Sequence, residues 1–425
     1  MAVVILALGS RGDVQPMANL AGGLARRGVE VSVAALPEYA PVVADHGDGA
    51  RFVPLPGRLA DAVGESRLDR RLTQSSPGQW LVLRRWLAAM APGFVDAVTA
   101  AIRPGDTVLS GVLTRGVAVA FAEAGGRAAT VTYTGQVPTL ERESFYHPGQ
   151  LTGWRAWDTF GVGVNWQLAT AIGGVLTRRT RECLGLPQPG FRGGTRVADR
   201  HPVIMAASPV LVPPAADWAD GVHQTGYLAP RSSPFTPDPA LAAFLAGPRA
   251  VYLGFGSLTR FASREEFGMV VEAARLSGRR LVTSAPPWVT AGEFAPDVFA
   301  VDGVPHGWLF SRLAGTIHHG GAGTTHEALR SGVPSVVVPF GLDQPYHGAR
   351  LHRLGVGPAP LGRKRLTAQR LADLISELVD SPRTPRYQRR AVELAAICSA
   401  EDGVGRTVDL LAELGMLPPD GGVRP

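Results

Sequence analysis

A histidine pair followed by glycines is the part of this chain best suited to bind an anion. The apolar run LAGTI leads into His318 and His319, and Gly320, Gly321 and Gly323 follow at once. Glycines let a ligand approach the backbone closely, and free N–H groups at the start of a helix attract negative charge. A histidine beside them adds a hydrogen bond to a phosphate oxygen. Because neighbouring strand residues point to opposite faces, we expect one histidine to face the ligand and the other to pack away.

Polar residues follow these glycines at positions that suit the same ligand. Thr324 lies at the expected start of a helix, and Glu327 is within its first turns. After the next apolar run, the segment GLDQP presents Asp343 and Gln344. A glycine turn alone is more typical of a purely structural turn. The whole set of residues reverses that preference and favours an anion-binding turn.

A second polar turn lies near the amino end, in GSRGDVQP. Asp13 follows the first apolar strand, and Pro16 comes shortly afterwards. One interpretation is structural, because aspartate caps helices and proline suits their first turn. The other is chemical: a carboxylate takes the proton of a hydroxyl as its oxygen attacks an electrophile. Ser10, three residues earlier, is a candidate for positioning that hydroxyl.

The elements around both turns predict an α/β protein with two doubly wound parallel sheets. AVVILALGS and RAVYLGFGS are apolar strands that run into glycine turns, each followed by a helical pattern and another strand. Continuous apolar strands alternating with helices are typical of parallel sheets covered on both faces. The helical pattern after the second turn runs from Arg264 to Leu276. The length of 425 residues agrees with two or three domains of ~100–200 residues each.

A proline-rich stretch separates the two halves. Pro230, Pro234, Pro237 and Pro239 disfavour a continuous helix or strand there, whereas VHQTGYL just before them is a candidate strand closing the first domain. We therefore predict a first domain over 1–228, a linker over 229–248 and a second domain over 249–405. A last helix, starting at Arg406, and a tail complete the chain over 406–425.

Composition excludes several classes of protein. A chain with 45% hydrophobic and 18% charged residues is not a disordered one. The two distant cysteines predict no disulfide framework and fit a reducing cytoplasm. No apolar run approaches the ~20 residues of a membrane span, and MAVVILALGS is predicted to be a buried strand rather than a signal peptide. The net charge of +6 comes from scattered arginines without interleaved aromatics, so we expect no nucleic-acid partner.

One segment is unusually rich in aromatic residues. It includes Tyr133, Phe145, Trp154 and Trp157, and its periodicity is weak. Core packing is one interpretation, because buried aromatics are usually packed in cores. A pocket of loops and short helices for a flat, apolar ligand is the other. The residues alone leave both open.

Three separated segments together resemble the GT-B nucleotide-sugar-dependent glycosyltransferases, in the branch that glycosylates natural products such as antibiotics, and sterols. They are GSRGDVQP, VPHGWLFSRL and the long stretch from HHGGAGTTHEALRSG to GLDQP. The resemblance implies two Rossmann-like domains facing across a cleft. It also implies an inverting, metal-independent transfer without a cofactor, from a sugar nucleotide on the second domain to an apolar acceptor on the first.

The resemblance also assigns roles at the donor end. The pyrophosphate-binding histidine of the family lies eight residues before an acid near the ribose, which matches His319 and Glu327. Backbone groups from Gly321 to Thr325, with Gly323 and Thr324 among them, would cradle the diphosphate. Asp343 and Gln344 match the pair that contacts donor sugar hydroxyls, and Ser257, in GFGS, matches a serine near the diphosphate.

At the acceptor end, Asp13 stands where the family places its general base, histidine in some members and aspartate in others. Two positions depart from the family. Gly303 stands where plant members stack a tryptophan on uracil, and Gly307 where microbial members often have an aspartate. The nucleobase therefore stays open between a dTDP- and a UDP-linked sugar. The acceptor, the linkage and the oligomeric state stay open as well.

Other functions compete with an antibiotic glycosyltransferase. A UDP-glucose-dependent sterol or lipid glucosyltransferase fits the same motifs, and so does a donor-binding homologue without catalysis. A nicotinamide oxidoreductase is disfavoured, because ALGSRGD and LGFGSLT lack the GxGxxG spacing and VSVAALP ends without an acid. No pairing of histidines and carboxylates predicts a closed metal site.

Overall fold

The computed structural model describes residues 1–63, 76–141, 154–188, 200–231, 234–254 and 264–418. The chain divides into two compact units. Unit 1 comprises Met1–Arg231 and the C-terminal segment that begins at Asp402, and unit 2 comprises Ser232–Glu401. Among the described residues, no helix combines the length and apolar character that crossing a membrane requires.

Unit 1 is built on a parallel sheet. Within the described residues it has seven strands in the order β3-β2-β1-β4-β5-β6-β7. The strands are β1 Val3–Leu6, β2 Val31–Ala35, β3 Arg51–Pro54, β4 Thr107–Ser110, β5 Arg127–Thr132, β6 Val203–Met205 and β7 Val222–Gln224. The helices are α1 Arg11–Arg26, α2 Ala40–His46, α3 Leu59–Val63, α4 Ser76–Ala101, α5 Arg115–Glu123, α6 Arg155–Ile172 and α7 Gly174–Cys183. The predicted closing strand is confirmed, since β7 lies within VHQTGYL and pairs with β6.

The last helix of the chain, α15 (Gly403–Glu413), belongs to unit 1. It starts before the predicted Arg406 and packs against α1, where Val404 fills the space beside Gly23. The Thr407 hydroxyl bonds that of Thr225 at 2.8 Å. Helix α15 is therefore part of the structure of the first unit.

Unit 2 has a six-stranded sheet within the described residues, in the order β10-β11-β9-β8-β12-β13. All its pairs are parallel except β10–β11. The strands are β8 Val251–Gly254, β9 Leu281–Ser284, β10 Gly292–Ala295, β11 Val298–Val301, β12 Gly315–His318 and β13 Ser335–Val337. The helices are α8 Pro239–Ala246, α9 Arg264–Ser277, α10 His306–Phe310, α11 Ala322–Arg330, α12 Gln344–Leu354, α13 Ala368–Val379 and α14 Thr384–Ser399.

Alternation along the apolar strands produces two cores in unit 2, one on each face of the sheet. Val251 and Leu253 pack on one face against residues of α9 and α13. Tyr252, between them in sequence, packs on the other face with residues of α8, α10 and α11. The predicted fold class, two parallel-sheet α/β domains, is confirmed.

One local expectation was wrong. The proline-rich linker contains helix α8, because Pro239 occupies its first position, where proline is tolerated, and Asp238 caps it by accepting from the Ala240 N–H. In the aromatic segment, for which two interpretations were open, Trp157 lies on the 18-residue helix α6.

Candidate functional site

Both candidate turns follow strands at the point where strand order reverses in their sheet. In unit 1 the order reverses between β1 and β4, and β1 leads into Ser10 and Asp13. In unit 2 it reverses between β8 and β12, whose last residues Gly254 and His318 are paired in register. Ligands of open parallel sheets bind at the carboxyl ends of strands at such points.

The two histidines at the end of β12 differ in how far they are buried. The side chain of His318 is fully buried, and its Nδ1 accepts a hydrogen bond from the Gly320 N–H at 3.1 Å. His319 is only partly buried by surface area. Burial is the main cause that lowers the pKa of His318 well below its usual range and the pKa of His319 to about 4. Both rings are therefore neutral at pH 7.

Gly321 makes room for the His319 ring. A Cβ at position 321 would lie 2.4 Å from His319 Nε2, so only glycine lets the ring occupy this place. His319 Nδ1 is buried and has no hydrogen-bond partner among the described residues. The ring is thus held against the turn with Nε2 on the side of Gly321.

Helix α11 begins directly after this turn, and its N-cap residue is Gly321, which has no side chain to accept from the first N–H groups. The Thr325 N–H and hydroxyl both donate to the Gly321 carbonyl, each at 2.9 Å, which closes the first turn. Gly323 and Thr324 lie on that turn and are partly exposed. A helix start of this kind attracts an anion, and the His319 ring lies beside it.

Glu327, two turns into α11 by sequence, lies against the start of α10. A Cβ at Gly307 would meet Glu327 Oε2 at 2.8 Å, so the carboxylate lies close to that backbone. Gly307, where microbial members often have an aspartate, therefore leaves the space that the Glu327 carboxylate occupies.

Asp343 and Gln344 begin helix α12. The Gln344 side chain is almost fully buried, and its Oε1 accepts from the Phe340 N–H at 2.7 Å. That bond leaves the Gln344 amide NH₂ as the group able to donate to a ligand, with the amide orientation assigned from it. Burial raises the pKa of Asp343, and the neighbouring His347 acts in the opposite direction. Asp343 Oδ2 is 3.7 Å from His347 Nδ1.

His347 was not singled out from the sequence. It is fully buried, and its Nδ1 bonds the Gly320 carbonyl at 2.6 Å, across 27 residues of sequence. It thereby joins the glycine turn to the start of α12. A buried histidine on a helix carries no local signal that would separate it from an ordinary core residue.

In unit 1, Ser10 and Asp13 form the start of α1. Ser10, and not Asp13, is the N-cap: its Oγ accepts from the Gly12 N–H at 3.2 Å. Asp13 Oδ2 reaches back to the Ser10 N–H at 2.8 Å and to the Ser10 hydroxyl at 3.0 Å, completing a capping box. Gly9 has a φ of 148°, and a Cβ there would lie 2.3 Å from Asp13 Oδ2. The carboxylate is thus held at the carboxyl end of β1.

The predicted acceptor-binding aromatics are found in different environments. Tyr133 is buried, and its hydroxyl donates to the Asp13 carbonyl at 3.3 Å. Burial, with the nearby Asp13, raises the pKa of the Tyr133 hydroxyl well above its usual range. Trp154 and Trp157 are 68% and 56% exposed, and their rings stack with centroids 6.4 Å apart. Phe145 and Ser257 lie outside the described residues.

Comparisons with known proteins agree with this architecture. Residues 283–411 match the family described as erythromycin biosynthesis protein CIII-like, C-terminal domain. The vancomycin aglycone glucosyltransferase of Amycolatopsis orientalis is 32% identical over 97% of this chain and 97% of its own. A sterol 3-beta-glucosyltransferase of Arabidopsis thaliana is 28% identical over 98% of this chain and 68% of its own.

Solved structures are also similar. The glycosyltransferase VinC, whose structure is a complex with dTDP, aligns with a TM-score of 0.64 over 97% of this chain and 99% of its own. Its identity of 21% shows a shared fold, and the neighbours with that fold are glycosyltransferases. On the full-length relationship to the vancomycin enzyme, the chain belongs to the glycosyltransferase family of the antibiotic and sterol type.

Proposed function

We propose that this glycosyltransferase moves a sugar, with inversion, from a dTDP- or UDP-sugar to a hydroxyl of an apolar natural-product aglycone. Unit 2 binds the donor and unit 1 the acceptor. The observation that carries the proposal is the His319 ring lying against Gly321, which is the N-cap residue of α11. The full-length similarity to an antibiotic aglycone glucosyltransferase supports the substrate class.

The diphosphate leaving group is stabilised by neutral donors. Because burial lowers the pKa of His319 to about 4, the ring acts at pH 7 as an N–H donor and not as a cation. The first N–H groups of α11 and the helix dipole add to it, in a partly buried site where such interactions are stronger than in water. The family resemblance assigns Glu327 to the ribose, and it assigns Ser257, which lies outside the described residues, to the diphosphate. This set neutralises the developing charge without a metal ion, so we propose that none is required.

The sugar is held by the start of α12. The Gln344 NH₂ donates to a sugar hydroxyl, since its amide oxygen is already bonded to the Phe340 N–H. Asp343 accepts from a second hydroxyl. The Asp343 carboxylate and the Gln344 NH₂ favour a ligand with hydroxyl groups. Leaving such polar groups without a hydrogen bond in a buried site costs free energy.

Asp13 is the general base. It takes the proton from the acceptor hydroxyl while the hydroxyl oxygen forms a bond to the anomeric carbon and the diphosphate departs from the opposite face. Ser10 positions the carboxylate through its N–H and hydroxyl, which is a different role from contacting the acceptor. Tyr133 holds the backbone of the same turn. Trp154 and Trp157 offer exposed rings to an apolar aglycone.

The test is a transfer assay with dTDP-glucose and UDP-glucose against macrolide, polyketide and peptide aglycones. A glycoside whose anomeric configuration is inverted, formed at the same rate with and without EDTA, is the expected product. Retention of configuration, or a rate abolished by EDTA and restored by a divalent metal, would overturn this mechanism.

A sterol acceptor is the second candidate, favoured by the similarity to the plant sterol glucosyltransferase over nearly the whole chain. The same assay with UDP-glucose and a sterol separates the two candidates. Turnover of the sterol alone would replace the antibiotic assignment. Binding of a nucleotide without turnover of any acceptor would indicate the catalytically silent homologue.

A further inference from the structure

Two buried histidines hold the two polar backbone atoms of Gly320, its N–H and its carbonyl. His318 Nδ1 accepts from the Gly320 N–H at 3.1 Å, and His347 Nδ1 bonds the Gly320 carbonyl at 2.6 Å. Gly320 has a φ of 90°, and a Cβ there would lie 2.7 Å from Val337 Cγ1. The turn that follows His319 is therefore held through both the N–H and the carbonyl of Gly320.

These bonds assign opposite tautomers to the two rings. A carbonyl oxygen only accepts, so His347 carries its proton on Nδ1. His318 accepts at Nδ1, so as a neutral ring it carries its proton on Nε2. The Nε2 atoms of both rings are buried and have no hydrogen-bond partner among the described residues.

His347 also contacts the second donor-binding segment. Its Nδ1 is 3.7 Å from Asp343 Oδ2, and its backbone N–H donates to the Asp343 carbonyl at 3.2 Å. The Gln344 carbonyl lies 3.1 Å from the place that a Cβ on Gly320 would take. One ring thus touches both the diphosphate turn and the segment assigned to the sugar.

We propose that His347 is a positioning residue for the sugar nucleotide: its Nδ1–H fixes the Gly320 carbonyl and so sets the diphosphate turn relative to Asp343. This inference rests on the proposed function, because it takes Gly320–Gly321 as the diphosphate turn. The positioning role requires a proton donor at Nδ1 and not at Nε2. A side chain that only filled space in the core would not depend on which nitrogen donates.

Two amide substitutions distinguish the ring nitrogens. Asparagine places its NH₂ near the position of Nδ1, whereas the longer glutamine places it near Nε2. His347→Asn is therefore expected to bind dTDP or UDP, whichever the wild type prefers, within ~3-fold of the wild type. His347→Gln leaves the buried Gly320 carbonyl without its donor and is expected to weaken binding at least ~10-fold.

A matched control comes from the same helix. His352 is exposed, and its Nδ1 lies 3.3 Å from the Gly357 carbonyl. His352→Gln makes the same chemical change away from the glycine turn, so its affinity for the nucleotide should equal that of the wild type. Calorimetric titration of the full chain, with urea midpoints recorded for every variant, gives both affinity and folding.

A measurement on the wild type avoids dependence on variants that fold poorly. In ¹⁵N-histidine NMR spectra, His347 should be protonated at Nδ1 and His318 at Nε2, and both signals should shift when the nucleotide is added. An Nε2–H tautomer at His347, or equal affinities of His347→Asn and His347→Gln, overturns the proposal. So does tighter binding by the glutamine variant. A wild type that binds neither nucleotide rejects the proposed function itself.

Discussion

At the scale of single residues, Asp13 has two roles that substitution separates. Its carboxylate completes the capping box of α1, and we assign it the proton of the acceptor. Asp13→Asn keeps an oxygen that accepts from Ser10 but cannot take a proton. We expect the turnover rate to fall by roughly 10²–10⁴-fold, the usual contribution of general base catalysis, with the urea midpoint little changed.

Ser10→Ala provides the complementary control. It removes the N-cap, so the free energy of unfolding should fall by about 1 kcal/mol, while the rate falls much less than in Asp13→Asn. If Asp13→Asn keeps the wild-type rate, Asp13 is a structural residue only and the base lies elsewhere.

Two further substitutions test whether nucleotide binding depends on the position of the His319 ring. The Cβ of Gly321→Ala would lie 2.4 Å from His319 Nε2 and would displace the ring. Gly321→Ala and His319→Ala should therefore weaken nucleotide binding by similar factors, about 10-fold or more. His352→Ala, an exposed position on α12 with no assigned role in binding, serves as the comparison and should bind like the wild type. Normal binding by Gly321→Ala would show that the ring position is unimportant.

At the scale of elements, buried histidines at the end of β12 and in α11 make unit 2 sensitive to acid. Burial lowers the pKa of His319 to about 4 and that of His326 to about 3, from 6.5 in the unfolded chain. Between the folded-state pKa of each ring and 6.5, the ring is protonated in the unfolded chain and neutral in the folded protein. The free energy of unfolding should therefore rise with pH across this window, by at most about 1.4 kcal/mol per pH unit for each group.

Urea unfolding at pH 5 and pH 7 measures this effect directly. The midpoint should be lower at pH 5. His326→Asn keeps a donor for the Ala322 carbonyl that His326 Nδ1 now bonds at 2.8 Å, yet it has no titrating ring, so the pH difference should shrink. A midpoint that does not change between pH 5 and pH 7 would contradict the neutral state of these rings.

Elements that are determined by residues close together in the sequence could be predicted from it. Helix α9 begins at the predicted Arg264 and ends at Ser277, because apolar periodicity determines it. The capping box of Ser10 and Asp13 is local too, and the spacing S-x-x-D was available in the sequence. Pro239 was misjudged because a proline in the first turn of a helix is permitted where one inside it is not.

Long-range contacts could not be predicted in this way. His347 acquires its role from the Gly320 carbonyl, 27 residues away, and nothing in its neighbours along the chain indicates that bond. Gly307 was noticed only as a departure from a pattern, whereas its closeness to Glu327 becomes visible in the folded unit. The roles of Asp343 and Gln344 likewise came from the resemblance and not from periodicity.

At the scale of the whole molecule, the two substrates are assigned to different units. Asp343→Asn in unit 2 should raise the KM for the sugar nucleotide and leave the KM for the aglycone within ~2-fold. Trp157→Ala in unit 1 should do the reverse, because it removes an exposed ring from the assigned acceptor side. Steady-state kinetics with each substrate varied in turn measures both constants. A Trp157→Ala variant that changes only the donor KM would contradict this division.

The central claim is that the glycine turn of unit 2 binds a nucleoside diphosphate. Calorimetric titration of the wild type and of His319→Ala with dTDP and with UDP tests it most directly. We expect measurable binding of at least one nucleotide by the wild type and a loss of about 10-fold or more in the variant. Equal affinity of the two proteins, or no binding of either nucleotide by the wild type, would contradict it.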